Sequence, residues 1–160
     1  MTILEIELAV SSLFNTRQNM IVPNVWWGLG FNHEIDLLVC TRGGYCTEIE
    51  IKTSKTDLKR DGSKPHGHGG PRIRRVFFAI PEPLLEYKHL IPETAGIITV
   101  NAGWAKIIRN AVVNKQSRPL NADEHLHLGR LASMRIWSLK ETLVNRKNNY
   151  YSCPITYEEA

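Results

Sequence analysis

The chain has no apolar run near the roughly 20 residues that a membrane helix needs. Glu5 and Glu7 interrupt the stretch where a signal peptide would carry its apolar middle. The expectation is a protein with no membrane partner that stays in the cytoplasm. Only three cysteines occur, Cys40, Cys46 and Cys153; they cannot all pair, and their spacing is not that of a zinc site. Cys40 and Cys46 flank one turn and could face each other across a hairpin, with free thiols expected ahead of a disulfide. There is no Walker motif, no glycine-rich dinucleotide loop, no Ser-His-Asp set, no internal repeat and no low-complexity tract. These absences set aside nucleotide-driven, dinucleotide-linked and serine-hydrolase chemistry. What is present is 160 residues, 42% hydrophobic and 22% charged, enough to bury one proper core.

The positive charge is local. Between Lys52 and Arg75 stand eight Lys/Arg against Asp57 and Asp61, a balance of +6, while the rest of the chain carries 12 Lys/Arg against 14 acids. Such a block favours a polyanion by releasing its counterions, and DNA is the expected partner. Lys55 and Lys59, four apart on an expected helix, can both face a duplex backbone; Lys64, Arg72, Arg74 and Arg75 are further phosphate-binding candidates. A solvated basic loop is the plain alternative.

The periodicities predict a mixed α/β domain. Thr2 can cap a first helix, with Glu5 completing a capping box and an apolar stripe from Ile6 to Phe14 carrying it to about Asn15. Met20 to Trp27 is strand-like but interrupted by Pro23. Residues 34–41 and 45–53 read as strands around Arg42-Gly43-Gly44, a hairpin signal. A short helix capped by Ser54 or Thr56 follows, then a Gly/Pro-rich loop over 61–72. Val76 to Ile80 is a strand, Pro81-Glu82-Pro83 opens a helix through about Leu90, and Gly96 to Val100 is a strand with Trp104 to Arg109 as its hairpin partner. Asn121 caps a last long helix to about Arg146. The order is α-β-β-β-α-β-α-β-β-α, a single domain over 1–160.

The most informative pattern is Asp36 followed by Glu48-Ile49-Glu50-Ile51-Lys52. Acids and lysine alternate with isoleucines, so the strand has one apolar and one charged face. Asp36 is a lone acid within Ile35-Asp36-Leu37-Leu38-Val39. A three-residue loop, Arg42-Gly43-Gly44, places Asp36 opposite Glu50; a tight Gly43-Gly44 turn would send it to the other side. The apolar pattern favours the first register, with Ile35, Leu37 and Val39 sharing the core face with Ile49 and Ile51, and it leaves Leu38 unexplained on the charged face. The bland reading is that Glu48, Glu50 and Lys52 form the wet side of an amphipathic strand.

The chemical reading is phosphodiester hydrolysis. That reaction needs phosphoryl charge neutralised, water activated and the leaving oxygen stabilised, which one or two Mg²⁺ can supply; Mn²⁺ is the expected substitute. Mg²⁺ takes oxygen ligands and keeps several waters, so two or three carboxylates suffice. Asp36 and Glu50 are the ligand candidates, the carbonyl of Ile51 a further one, and Lys52 is placed to orient water or offset phosphate charge. His66 and His68 have the side chains for a transition metal, though two histidines in a glycine loop are more often solvent-exposed. Trp26 and Trp27 are candidates for base stacking, and His125 and His127 for helix capping or surface.

Taken together these residues resemble the PD-(D/E)XK nuclease superfamily, whose pattern is an acid on one strand and Glu-x-Lys on the next. The resemblance implies a restriction-endonuclease-like αβββαβ core over about 2–100, with a mixed central sheet flanked by helices. Residues 101–160 then form a hairpin and long-helix extension. More closely, the chain is similar to small phage and bacterial proteins related to the MmcB-like DNA-repair group. The stretches that carry this are Ile21-Val22-Pro23-Asn24-Val25, His33-Glu34-Ile35-Asp36, Glu48 to Lys52, Val76 to Pro81 and Met134-Arg135-Ile136-Trp137. The resemblance implies a metal-dependent DNA endonuclease in repair, recombination or phage DNA processing, with Asp36, Glu50 and Lys52 as metal and catalytic positions. It adds a glutamate from the first helix, for which Glu7 is chosen because Glu5 serves the capping box. Many nucleases of this fold are dimers, since two strands need two sites, which leaves a homodimer open. The alternatives are a DNA-binding accessory that does not cut, and an assembly protein docking through its last helix.

Overall fold

The structure is a computed structural model that describes residues 1–26, 28–61, 68 and 70–151, with the side chains of 61 and 147–151 outside the description. Trp27, Lys64, His66 and Cys153 lie outside the described residues.

The first helix, α1 (Ile3–Leu13), starts as its sequence dictates: Thr2 and Glu5 cap each other reciprocally. It stops two residues short of the expected end, because Asn15 takes a left-handed conformation (φ 55°) and turns the chain away. Six strands follow in a single sheet ordered as in the chain: β1 (Met20–Val25), β2 (Ile35–Cys40), β3 (Cys46–Ile51), β4 (Ile73–Pro81), β5 (Gly96–Asn101) and β6 (Trp104–Arg109). Pairing is antiparallel at β1–β2, β2–β3 and β5–β6, and parallel at β3–β4 and β4–β5. A sheet of this kind needs a crossover between its parallel strands. α2 (Lys55–Asp61) lies in the first crossover and the turn Glu82–Leu90 in the second. That second turn is a 3₁₀ helix rather than the expected α-helix; Leu84, Leu85, Tyr87 and Leu90 pack against the sheet but none is fully buried. Pro23 does not interrupt β1, because an edge strand tolerates a residue that cannot donate.

Both faces of the sheet are covered. On the first, α1 lies across β4, β5 and β6, joining Ile6, Ala9 and Val10 to Leu37, Val39, Ile49, Ile51, Ala79, Ile98 and Val100. On the second, α3 (Ala122–Tyr151) crosses β1 and packs Leu128 and Leu131 on Val22, Leu38, Cys40 and Cys46. Leu58 of α2 joins Phe78, Ile80 and Ile97 in a separate cluster. Leu38 is thereby explained: the face expected to be wet is a second core. Ile35 departs from expectation and joins that second core. Asn24 has φ 52°, and beyond it Val25 and its partner Ile35 both turn to the α3 side.

α3 begins at a box between Asn121 and Glu124, each accepting the other's backbone N–H at 2.9 Å, and runs past the expected end at Arg146. Every side chain from 133 to 146 is exposed, Ile136, Trp137, Leu139 and Leu143 among them. No helix among the described residues is long and apolar enough to cross a membrane. Cys40 and Cys46 face each other across the β2–β3 hairpin as buried free thiols.

Candidate active site

The β2–β3 register is the one that a three-residue loop predicts: Leu37 pairs with Ile49, Leu38 with Glu48 and Cys40 with Cys46. This ladder ends at Leu37 and Ile49. One residue further, the Asp36 carboxylate replaces a backbone partner, and Oδ2 accepts the Ile51 N–H at 2.8 Å. On its other edge β3 stays paired, with Lys52 N–H donating to the Ala79 carbonyl at 3.1 Å. Asp36 is thus fixed at the end of the ladder, beside Glu50.

Glu48, Glu50 and Lys52 alternate along β3 and leave it by the second face. They are 0%, 2% and 4% exposed, so the wet-strand alternative fails. They form a polar row between the two apolar clusters of that face, with Leu38 on one side and Phe78 on the other. Lys52 Nζ donates to Glu50 Oε2 at 2.8 Å. Glu48 Oε1 lies 2.9 Å from His33 Nε2 and 2.8 Å from His68 Nδ1. Burial pushes the Glu48 carboxyl up, but the hydrogen bonds and charges of His33 and His68 outweigh it and hold the group at about 2.

Glu50 behaves in the opposite sense. Burial, and then the charge of Asp36, raises its carboxyl above the usual range, with Lys52 offsetting part of the effect. Glu7 on α1 is half-buried and also raised, first by burial and then by Asp36. Carboxylates from α1, β2 and β3 therefore feel one another's charge. Glu7 and Glu50 are both disfavoured as anions, the condition that a divalent cation relieves. Glu5 is exposed and occupied with Thr2, whose backbone and hydroxyl lower its carboxyl. Glu7 is the α1 carboxylate that faces Asp36.

Chemically, the donor set suits a hard cation. Asp36, Glu50 and Glu7 offer oxygens, and Glu50 Oε1 is buried without a hydrogen-bond partner among the described residues. Such an orphaned oxygen costs free energy unless a cation or donor meets it.

The family model described as "DNA repair protein MmcB-like" matches residues 1–142. The chain belongs to the MmcB-like family. No curated protein matches it. Among solved structures it is similar to a protein of unknown function from Silicibacter pomeroyi, with a TM-score of 0.62, 16% identity and 94% of each chain covered. At that identity the likeness shows the fold alone, a mixed sheet flanked by helices with a long C-terminal helix.

Within this family member the described residues of the basic block do not form one patch. Lys55 and Lys59 are exposed on α2, beyond the Lys52 end of β3, and Lys55 Nζ sits 4.3 Å from the Tyr87 ring centroid. Arg75 is exposed but pairs in register with Thr47, near the other end of β3; five residues of strand separate Thr47 from Lys52, about 16 Å. Arg74 stacks over Tyr45 at 4.2 Å. Arg72 Nε is held by Glu124 Oε1 at 2.6 Å, where it helps to anchor α3. Trp26 is exposed. His125 Nδ1 lies 3.0 Å from the Asn121 carbonyl at the start of α3.

Three residues at the centre carried no site assignment from the chain alone: Glu48, His33 and His68. Glu48 had a signal, since it shares its strand face with Glu50. His33 stands three residues before Asp36, close enough to have been weighed. His68 was read with His66 as a side chain suited to a transition metal, but nothing in the chain linked it to Glu48, because only the fold returns residue 68 to β3.

Proposed function

We propose that this MmcB-like protein is a metal-dependent deoxyribonuclease of the PD-(D/E)XK type, acting in DNA repair. The observation that carries this reading is the meeting of Asp36, Glu50 and Lys52 at the end of the β2–β3 ladder, with Glu7 on α1 near enough to Asp36 to feel its charge. The αβββαβ order and membership of the MmcB-like DNA-repair family point the same way.

Asp36, Glu50 and Glu7 are the residues that would hold Mg²⁺ or Mn²⁺, with the Ile51 carbonyl as a further donor. The ion would neutralise phosphoryl charge and make water acidic enough to attack near neutral pH. The Ile51 N–H orients the Asp36 carboxylate. Glu50 Oε2 holds the Lys52 ammonium at 2.8 Å, in a buried setting where its charge acts strongly on a phosphate oxygen. Phe78 on β4 and Leu38 on β2 flank the row and exclude water from it. Lys55 and Lys59, exposed just beyond Lys52, lie where the backbone of a bound strand would continue.

The test is supercoiled plasmid incubated with wild-type protein and with Asp36→Asn, in Mg²⁺, in Mn²⁺ and in EDTA. Metal-dependent nicking that vanishes in the variant while DNA binding persists supports the reading. Equal, salt-sensitive binding of plain and branched DNA with no cleavage in any metal rejects it in favour of a DNA-binding accessory.

A further inference from the structure

His33, Glu48, Glu50 and His68 each offer one ligand atom, and the four atoms lie within 4.8 Å of one another. Only Glu50 belongs to the oxygen set described above. Glu48 Oε1 is the hub, 2.9 Å from His33 Nε2 and 2.8 Å from His68 Nδ1. Glu50 Oε1 lies 3.6 Å from the same nitrogen of His68 and 4.0 Å from that of His33. Although Glu50 is 2% exposed, this oxygen has no hydrogen-bond partner among the described residues. It is aimed at both imidazoles while Lys52 holds the other oxygen.

The surroundings fix the cluster. Nδ1 of His33 lies 2.8 Å from Asn32 Oδ1, which orients the ring and directs Nε2 inward, the usual outer-shell support of a ligating histidine. His68 is set edge-on against both Phe78 and His33, with centroids 5.3 Å and 5.4 Å away. Ligand atoms around a four-coordinate ion with bonds of about 2.0–2.1 Å stand roughly 3.3 Å apart. The observed spacings of 2.8 to 4.0 Å bracket that value, so small side-chain shifts complete the shell. Two imidazoles with two carboxylates match zinc and its neighbours in the first transition row. Mg²⁺, which takes oxygen ligands, fits this set poorly.

We propose that His33, Glu48, Glu50 and His68 form a second divalent-cation site, for a Zn²⁺-class ion, sharing Glu50 with the Asp36 centre. An ion there binds both histidines, satisfies Glu50 Oε1, and ties His68 to β3. The site stands on its own geometry and does not require the chain to cut DNA.

The test uses the metal-free full-length chain titrated with Co²⁺, followed by visible absorption, with Zn²⁺ and Mg²⁺ as competitors. One Co²⁺ per chain is expected, with the intense bands of a four-coordinate, nitrogen-containing site that Zn²⁺ displaces and excess Mg²⁺ does not. His33→Gln and His68→Gln should each weaken binding more than about tenfold, whereas Asp36→Asn should keep the bands. Far-UV circular dichroism checks folding, and His68→Gln, at a residue outside the regular elements, carries the test if His33→Gln does not fold. Co²⁺ binding that survives loss of both histidines, that Mg²⁺ displaces equally well, or that is absent from the wild type overturns the proposal. None of these readouts involves cleavage, so a failure here and a failure to nick plasmid are separate results.

Discussion

The two faces of β3 are equally dry and chemically opposite. Ile49 and Ile51 point toward α1 into an apolar core, whereas Glu48, Glu50 and Lys52 point toward α2 and α3 and are buried to the same degree. The apolar side stabilises the fold by removing hydrocarbon from water. The polar side does the reverse: it desolvates two carboxylates and an ammonium that hydrophobic residues of similar volume would replace at little cost or with gain. A row that weakens the protein where a core would strengthen it points to a use at that position. Stability and activity should therefore separate cleanly between the two faces.

The largest effect is expected from leaving half of the polar row behind. Lys52→Met strips Glu50 of its ion-pair partner and should cost about 3–5 kcal/mol in urea unfolding. Adding Glu50→Leu to it should recover most of that loss, and a double variant no more stable than the single one would contradict the contrast. Next comes pH. Glu48 is held at about 2 in the fold against 4.5 unperturbed, so its ionised form contributes stability that is present above pH 4.5 and lost as pH falls toward 2. The contribution is roughly 3 kcal/mol. Glu48→Gln should flatten the wild-type decline in that window, as read by acid titration of urea midpoints. The raised Glu50 carboxyl acts in the opposite direction, since its ionisation opposes folding as pH rises through its folded value, and it does not account for an acid loss.

On the apolar face, Ile49→Val should cost about 1 kcal/mol by the same unfolding assay, with cleavage and metal binding unaffected. The smallest stability change belongs to the surface. Lys55→Gln and Lys59→Gln should move stability by less than about 0.5 kcal/mol, while each lowers the salt dependence of DNA binding by about one unit of slope. Arg72→Gln should instead loosen α3 through the loss of Glu124, a difference visible as faster backbone hydrogen exchange around the α3 start.

The same contrast explains what the chain disclosed. Residues whose partners lie close in sequence were legible: the Thr2–Glu5 box, the Asn121 cap, the hairpin at Arg42-Gly43-Gly44 and, through its register, the placing of Asp36 beside Glu50. Leu38 was the trace of the second core, but alternation reports only which residues share a face, not whether helices arriving from residues 55 and 122 will cover it. Ile35 was misplaced because a left-handed residue at Asn24 leaves no clear mark in the pattern. The 82–90 helix was placed correctly and typed wrongly, since proline marks where a turn begins but not its period. His68 was invisible as a neighbour of Glu48, because the return of residue 68 to β3 is decided by the whole crossover. The basic block misled in space: neighbours in sequence from Lys52 to Arg75, its members divide between two ends of β3 and an anchor for α3.

The most direct test of the account is to compare wild type with the Glu50→Leu/Lys52→Met double variant on supercoiled plasmid in Mg²⁺, alongside urea unfolding of both. The account predicts that the wild type nicks the plasmid, whereas the double variant is about as stable and leaves it intact. Nicking by the double variant at the wild-type rate, or a wild type that cuts nothing in Mg²⁺ or Mn²⁺, would contradict it.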